Sequence, residues 1–140
     1  MYLLDTGVLL MLSNGKELGN RIDGAYGLRQ SKDRPLVSVV SHGELRALAR
    51  KNKVGERKQA ALATLLDAMT TIDLDSEVIE AYAEVYEALR SHPKGSQTNI
   101  GENDMWIAAT ARATGSTLLT LDQHFVPLFG AVVTGFYIPR

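Results

Sequence analysis

Short apolar runs rich in leucine, valine and isoleucine alternate with helical patterns along the whole sequence, and this alternation constrains the fold more than any other feature. Five such runs are typical of buried strands; they lie at residues 2–5, 36–40, 71–74, 117–121 and 131–133. Strands that are separated by helices pair in parallel through right-handed crossovers, which place helices on both faces of the sheet. We therefore predict an α/β fold, a three-layer sandwich around a central parallel sheet of five strands.

The helical patterns between these runs lie at residues 7–12, 17–30, 42–51, 56–70, 76–90 and 102–114. In the fourth pattern, hydrophobic residues recur at the spacing of a helix face that packs on a core; they are Leu62, Leu65, Leu66 and Met69. Ser41, followed three residues later by Glu44, forms a capping-box pattern that predicts the start of the third helix. Residues 91–101 form the longest polar loop.

Length and composition exclude several classes of protein. The 140 residues fit one domain, residues 1–140. The absence of cysteine excludes disulfide scaffolds, thiol catalysis and cysteine-based zinc sites. The longest aliphatic run has five residues, far below the roughly 18 that a membrane-spanning helix needs. Because the sequence does not open with a secretory signal pattern, we expect a cytoplasmic protein with no membrane partner.

The charges are nearly balanced, with 15 Lys and Arg against 16 Asp and Glu, a net charge of −1. A basic field over the whole protein, as in many nucleic-acid-binding proteins, is therefore missing. One local basic patch exists within thirteen residues; it comprises Arg46, Arg50, Lys51, Lys53, Arg57 and Lys58. Such a patch is either a solvated helix face or a set of contacts to a nucleic-acid backbone, for which Arg46, Arg50 and Lys51 are the candidates.

Four acidic residues stand where predicted strands end or where neighbouring helices begin. Asp5 ends the first strand and Asp122 follows the fourth, whereas Glu44 and Asp104 are predicted in the first turns of helices, where the helix dipole favours carboxylates. Ligands of open parallel sheets bind beyond the carboxyl ends of the strands, so we expect these side chains to converge. Each acid alone is equally consistent with a helix cap or a turn residue, and only their coincidence indicates a functional site.

Four carboxylates in one cleft raise one another's pKa unless a cation neutralises them. Mg²⁺ or Mn²⁺ fits this role best, because hard divalent ions prefer oxygen ligands and keep several waters. A metal held in this way can activate a water and stabilise charge on a phosphodiester. It would also attract a phosphate backbone to a site that would otherwise repel it.

At this point the motifs resemble those of a known family. The Leu-Leu-Asp-Thr run at residues 3–6 resembles the opening of a PIN domain, and residues 38–45 resemble its second acidic motif. The Asn-Asp-Met-Trp-Ile-Ala-Ala-Thr-Ala run at 103–111 is the most specific match, and residues 119–125 resemble the fourth motif. The order and spacing agree from residue 2 to about 126. The compact size is similar to that of VapC-type toxins of bacterial toxin–antitoxin pairs.

The resemblance implies a PIN-like, Rossmann-like fold and a Mg²⁺- or Mn²⁺-dependent endoribonuclease that cleaves RNA of the tRNA or rRNA class. Its metal ligands would be Asp5, Glu44, Asp104 and Asp122, with Thr6 and Thr120 supporting the site through hydroxyl hydrogen bonds. It also implies a homodimer and a cognate antitoxin that inserts into the cleft. One departure stands out: Gly7 occupies a position where the family often has asparagine, so a polar contact near the site is lost.

Other functional classes remain open on the residues alone. A PIN-domain nuclease of RNA maturation or DNA handling would share these motifs without being a toxin. A nuclease-dead relative that only binds a partner would also retain the fold. A non-enzymatic, cation-binding regulatory domain such as a phospho-receiver is disfavoured, because Asp5 has no adjacent acid and residues 117–134 contain no lysine.

Overall fold

A computed structural model describes residues 1–30, 32–91 and 100–140. Most of the polar loop predicted at 91–101 therefore lies outside the described residues. The strands are β1 (Tyr2–Leu4), β2 (Leu36–Ser38), β3 (Thr70–Ile72), β4 (Thr117–Thr120) and β5 (Thr134–Tyr137). The helices are α1 (Thr6–Ser13), α2 (Glu17–Tyr26), α3 (Val39–Lys51), α4 (Glu56–Asp67), α5 (Ser76–Ser91) and α6 (Glu102–Thr114), with a 3₁₀ helix at Gln123–Leu128.

The five strands form one parallel sheet in the order β3-β2-β1-β4-β5, which confirms the predicted architecture. The chain builds the sheet outward from β1 to β3 and then returns to place β4 on the other side of β1. The strand order therefore reverses between β1 and β4. In open parallel sheets this switch point leaves a crevice at the carboxyl ends of the two strands, where ligands bind.

Side-chain alternation along the short strands explains why helices cover both faces of the sheet. Leu3 and Leu118 belong to one buried cluster together with α5, α6 and the 3₁₀ helix. Leu4 and Leu119, the next residues along, belong to a second cluster with α1, α2 and α3. Because successive side chains in a strand point to opposite faces, the three inner strands β2, β1 and β4 each supply both cores. None of the helices in the described part of the chain is long and apolar enough to cross a membrane.

The start of α3 differs from the sequence-based prediction. The β2 strand ends at Ser38, so Val39 and Val40, which were expected to be extended, already belong to the helix. Ser38 is the N-cap, and its Oγ accepts a hydrogen bond from the Val40 N–H at 3.1 Å. The predicted capping box is therefore wrong, and Glu44 lies beyond the first turn. Tertiary packing overrides the β preference of the valines, because Val40 packs against the core from its helical position.

The last strand is displaced from residues 131–133 to Thr134–Tyr137. Val133 is buried, but it closes a turn in which its carbonyl accepts a hydrogen bond from the Gly130 N–H. Gly135 permits the close approach of β5, because a Cβ there would lie 2.4 Å from a ring carbon of Phe129 and 2.9 Å from the Leu118 carbonyl. The apolar run at residues 131–133 therefore marks a turn that packs against the core, and not a strand.

Two predicted helices are shorter than expected. The helix predicted at 17–30 ends at Tyr26 because Gly27 takes a left-handed conformation with φ 61° and caps it. The helix predicted at 56–70 ends at Asp67. Of its apolar stripe, only Met69, beyond the helix end, is buried; the leucines are half-buried. No residue of α4, which lies wholly within the described part of the chain, is buried.

Candidate active site

Asp5 is fixed at the switch point between β1 and β4. Its backbone N–H donates to the Leu119 carbonyl at 3.0 Å, which extends the pairing of the two strands by one residue. Asp5 is also the N-cap of α1, and its Oδ1 accepts the Thr6 N–H at 2.7 Å. Its Oδ2 accepts the Thr120 hydroxyl at 2.7 Å. Only 6% of Asp5 is exposed, so these contacts set the direction of a buried carboxylate.

Glu44 of α3 is tied to the start of α1 through Thr6. The Thr6 hydroxyl lies 2.7 Å from Glu44 Oε1 and 2.9 Å from Ser41 Oγ. A hydroxyl carries one proton and a carboxylate only accepts, so Thr6 donates to Glu44 and its remaining contact is with the Ser41 hydroxyl. Ser41 is fully buried and lies one turn before Glu44 on the same face of α3. Thr6 therefore supports Glu44, as the family resemblance implied, and Ser41 was missed as a member of this network.

Asp122 is positioned by the residues on either side of it. Its N–H donates to Thr120 Oγ1 at 3.0 Å, so one threonine hydroxyl contacts both Asp5 and the backbone of Asp122. Asp122 caps the 3₁₀ helix, and its Oδ1 accepts the His124 N–H at 2.9 Å. The His124 Nδ1 also lies 2.9 Å from the same oxygen. This contact makes His124 a neighbour of the acidic residues that sequence reasoning did not identify.

Asp104 lies in the first turn of α6, which Gly101 caps without a side-chain hydrogen bond. The backbone N–H groups at a helix start favour a carboxylate, as the sequence indicated. Asp104 is half-buried, and the next residue, Met105, anchors α6 in the core beside β1. Trp106, one residue further, packs on Tyr82 of α5 with ring centroids 4.1 Å apart.

The four predicted acids line one cavity of about 620 Å³ at the carboxyl ends of β1 and β4. The walls of this cavity are Asp5, Thr6, Gly7, Glu44, Asp104, Leu121, Asp122, Gln123, His124, Tyr137 and Arg140. Thr120 lies buried behind Asp5. A Cβ at Gly7 would make only an ordinary contact, 3.7 Å from Leu121 Cδ1, so the backbone would accept the first atom of a side chain at this position, where the family often has asparagine.

The pKa values of the acids in the cavity show that their charges interact. Burial raises the pKa of Asp5 from 3.8 to about 6; hydrogen bonds from Thr120 and Thr6 oppose this shift, and the charges of Glu44 and Asp122 add to it. For Asp104 the pKa rises to about 7, first through burial and then through the charges of Asp5, Asp122 and Glu44. At neutral pH Asp104 is therefore close to half-protonation unless positive charge enters the cavity, whereas Asp5, with a pKa about one unit lower, is mostly ionised.

The donor set fits a hard divalent cation that keeps part of its water. Within the described ranges, no three acidic or histidine residues group tightly enough to form a finished metal-binding cluster. Mg²⁺ rarely occupies an all-protein cage and usually binds through one or two carboxylates, with waters and substrate phosphate oxygens completing its octahedron. The carboxylates here share a cavity and raise one another's pKa, but they do not surround one position closely. This arrangement matches a metal that is bound partly through water.

The basic patch is divided by α3 into two faces. Lys51 lines a groove with Glu44, Ala47, Leu48 and Asn103, and this groove shares Glu44 with the acidic cavity. Arg46 and Arg50 line a different cavity, between α3 and α4, together with Lys53. The acidic cavity therefore continues toward Lys51, whereas Arg46 and Arg50 face another part of the surface.

Tyr137 and Arg140 also line the acidic cavity, and sequence reasoning missed both. The signal that would have indicated them is positional: in a parallel sheet the residues after β5 emerge at the same edge as those after β4. The displaced prediction of the last strand hid this relationship, because a strand ending at residue 133 would leave Tyr137 in a distal segment.

Comparison with known proteins agrees with the motifs and the fold. The PIN domain family model matches residues 2–127. The chain is 29% identical over 131 residues to Ribonuclease VapC5 of Mycobacterium tuberculosis, covering 91% of this chain and 87% of that protein.

Two solved structures are similar over nearly the whole chain. VapBC2 of Rickettsia felis, bound to a DNA fragment from its promoter, superposes with a TM-score of 0.77 at 23% identity, covering 97% of each chain. VapBC-5 of Mycobacterium tuberculosis, a member of the VapBC family of toxin–antitoxin systems, gives a TM-score of 0.62 at 26% identity and covers 99% of this chain and 97% of that one. The chain therefore belongs to the PIN domain family, and among its members it is similar to the VapC-type proteins.

Proposed function

We propose that this protein is a metal-dependent endoribonuclease and the toxin of a VapBC-type toxin–antitoxin pair. The observation that carries the proposal is the convergence of Asp5, Glu44, Asp104 and Asp122 on one cavity at the switch point of a PIN-domain sheet. The likeness to a protein named a ribonuclease, over most of both chains, supports the same activity here.

Asp5, Glu44, Asp104 and Asp122 would hold Mg²⁺ or Mn²⁺, directly or through water. When bound, the metal supplies an activated water and stabilises negative charge on the phosphodiester oxygens. The hydroxyls of Thr120 and Thr6 hold Asp5 and Glu44 in fixed directions, so the carboxylates need little rearrangement when the ion enters. In-line attack on the phosphodiester would leave a 5′-phosphate and a 3′-hydroxyl.

The substrate is RNA of the tRNA or rRNA class. The groove from the acidic cavity toward Lys51 offers a path for one flank of the RNA, and its lysine supplies a backbone contact. Arg46 and Arg50 remain candidate contacts for a structured RNA that reaches the second face of α3. These basic residues position the backbone and carry no sequence preference.

The partners are a second copy of the chain and a cognate antitoxin. Structures similar to this chain are VapBC complexes, which supports an antitoxin for this protein. We expect the antitoxin to inhibit cleavage by occupying the cleft that holds the carboxylates. Cytoplasmic localisation follows from this role, because both the RNA and the antitoxin are found there.

The test is cleavage of total cellular RNA by the purified protein with Mg²⁺, followed by mapping of new 5′ ends. EDTA should abolish cleavage and Mn²⁺ should restore it. The Asp5→Asn and Asp104→Asn variants should retain the fold by circular dichroism and lose at least about a hundredfold in rate, because each lacks a charge that the metal requires. Cleavage that persists in EDTA, or undiminished rates in both variants, would refute the proposal.

Growth arrest on expression, relieved by the antitoxin, would establish the toxin role, and a growth-neutral nuclease would point to RNA maturation or DNA handling.

A further inference from the structure

The segment that leaves β5 runs along the acidic cavity. Tyr137 pairs with Thr120, the threonine whose hydroxyl contacts Asp5. The Ile138 N–H then donates to the Thr120 carbonyl at 2.8 Å, which holds the segment in place for one residue beyond the strand. Arg140 follows two residues later and lines the cavity. This segment is therefore tied to the same residue that positions the carboxylates.

Arg140 brings positive charge to a cavity that is otherwise acidic. Among the described lining residues it has the one side chain with a permanent positive charge, opposite four carboxylates. Ion pairs in the described part of the chain join Arg29 to Asp23 and Arg112 to Glu84, the His124 imidazole contacts Asp122, and Arg140 takes part in none of these contacts. Arg140 therefore lines the cavity without an ion-pair partner among the described residues, and a guanidinium binds phosphate through paired N–H groups.

Tyr137 lines the same cavity as Arg140. Its neighbour Phe136 stacks on Tyr26 with ring centroids 6.4 Å apart, toward the face covered by α1 and α2. Because side chains alternate along a strand, Tyr137 lies on the opposite side, where it lines the cavity and is 38% exposed. A half-exposed tyrosine beside a phosphate-binding group provides a surface on which a nucleic-acid base can stack.

We propose that Tyr137 and Arg140 form a nucleotide-binding subsite for the RNA residue next to the scissile phosphate. This inference rests on the proposed ribonuclease function. Arg140 contacts the phosphate that flanks the cleaved bond, and the Tyr137 ring stacks on the adjoining base. Tyr137 ends β5, whereas Lys51 lies on α3, which follows β2. In the sheet β1 and β4 lie between these two strands, so the RNA crosses the carboxylates between two positively charged groups.

A competing role for Arg140 is that of an internal counter-charge for the carboxylates. The two roles make different predictions for RNA. A counter-charge acts on the cation alone, so its removal would tighten Mn²⁺ binding and leave the salt dependence of RNA binding unchanged. Removal of a phosphate contact makes RNA binding weaker and less dependent on salt.

The experiment measures Mn²⁺ binding by calorimetry, and binding and cleavage of a labelled oligoribonucleotide that spans a mapped cleavage site. The Arg140→Ala variant should raise KM about tenfold, since one charge-assisted contact is lost, while kcat stays within about twofold of wild type. The slope of log affinity against log salt should decrease by about 0.7, the value for one contact to a single strand. Arg140→Lys should restore the slope, and Arg21→Ala, on exposed α2, should change neither quantity.

The stacking contact has its own pair of variants. Tyr137→Leu should raise KM about tenfold through loss of the ring, and Tyr137→Phe should match wild type because the ring remains. Unchanged KM and salt slope in Arg140→Ala, with or without tighter Mn²⁺ binding, would overturn the subsite. If the wild-type protein cleaves no RNA, the proposed function fails and the subsite with it; if wild type cleaves and the variants match it, only the subsite fails.

Discussion

The Thr120 hydroxyl donates a 2.7 Å hydrogen bond to Asp5 Oδ2, although the two residues are 115 positions apart in the sequence. The bond crosses the switch point, so it joins the first strand of the sheet to the fourth. The same hydroxyl oxygen accepts the Asp122 N–H at 3.0 Å. One buried threonine thus sets the relative placement of two of the four carboxylates.

Replacing Thr120 by valine removes this link with little change in shape. The bond lowers the pKa of Asp5, so in Thr120→Val that pKa should rise above about 6, and the acid limb of the rate profile should move to higher pH. We expect a loss of about 1–3 kcal/mol in the free energy of unfolding, because the Asp122 N–H loses its acceptor. The pH dependence of the cleavage rate tests the first expectation and urea unfolding tests the second. Thr64→Val, at an exposed position, is the control for both. A profile identical to wild type would show that Thr120 does not set the protonation of Asp5.

The raised carboxyl pKa values predict a dependence of stability on pH in the absence of metal. From pH 3.8 to about 7 the folded protein retains protons on Asp5 and Asp104 that the unfolded chain has released. The contribution of these groups to the free energy of unfolding is therefore largest at low pH and declines as pH rises through this window. Asp5 accounts for a decline on the order of 3 kcal/mol, and the contribution of half-exposed Asp104 is reduced by solvent screening.

Urea unfolding in EDTA at a series of pH values measures this dependence. Asp104→Asn should show a flatter curve than wild type, because it has one raised carboxyl fewer. Added Mn²⁺ should stabilise wild type more at pH 8 than at pH 5, since the cation binds the deprotonated acids. Equal stabilisation by Mn²⁺ at both pH values would argue against binding at these carboxylates.

Thr6→Val should loosen Glu44 without removing its charge. The Glu44 carboxylate loses its 2.7 Å donor, so we expect the Mn²⁺ concentration for half-maximal cleavage to rise about tenfold, in line with the cost of losing a supporting contact to a metal ligand. The maximal rate at saturating Mn²⁺ should fall less. A metal titration of activity checks this, and Ser13→Ala in the same helix is the control. If half-saturation is unchanged, Glu44 does not take part in holding the metal.

Gly135→Ala should destabilise the sheet edge. The added Cβ would clash with the Phe129 ring at 2.4 Å and the Leu118 carbonyl at 2.9 Å, so we expect a loss of about 1–3 kcal/mol. Adding Phe129→Leu should recover part of that loss, because the ring is removed while the carbonyl stays. Gly24→Ala, at an exposed position of α2 with open space around it, should instead stabilise by up to about 1 kcal/mol. Equal free energies of unfolding for Gly135→Ala and Gly24→Ala, measured with urea, would contradict the packing of β5.

The architecture was predictable because it depends on periodicity. Neighbouring apolar residues of the inner strands enter opposite cores, as Leu3 and Leu4 do, and that pattern is visible in the sequence. The positions of the four acids followed from the same logic, because strand ends share one edge of a parallel sheet. Their role as metal ligands stays a prediction.

The parts that could not be predicted depend on contacts between distant segments. Two serines near the start of α3 compete as helix caps, and local spacing favoured Ser41 over Ser38. Only tertiary structure gives Ser41 a partner, the hydroxyl of Thr6, 35 positions away. In the same way, no local signal separates the buried turn at Val133 from a strand, and the approach of Gly135 to Phe129 decides the register of β5.

The exposure of α4 has a consequence for how the molecule opens. A helix with no buried residue is attached by half-buried leucines, so its amide protons should exchange with solvent through local opening at little free-energy cost. Amides of β1 and β4 lie between two cores and should exchange only on global unfolding. We therefore expect α4 to open locally, whereas β1 and β4, which position Asp5 and Asp122, open only when the whole protein unfolds.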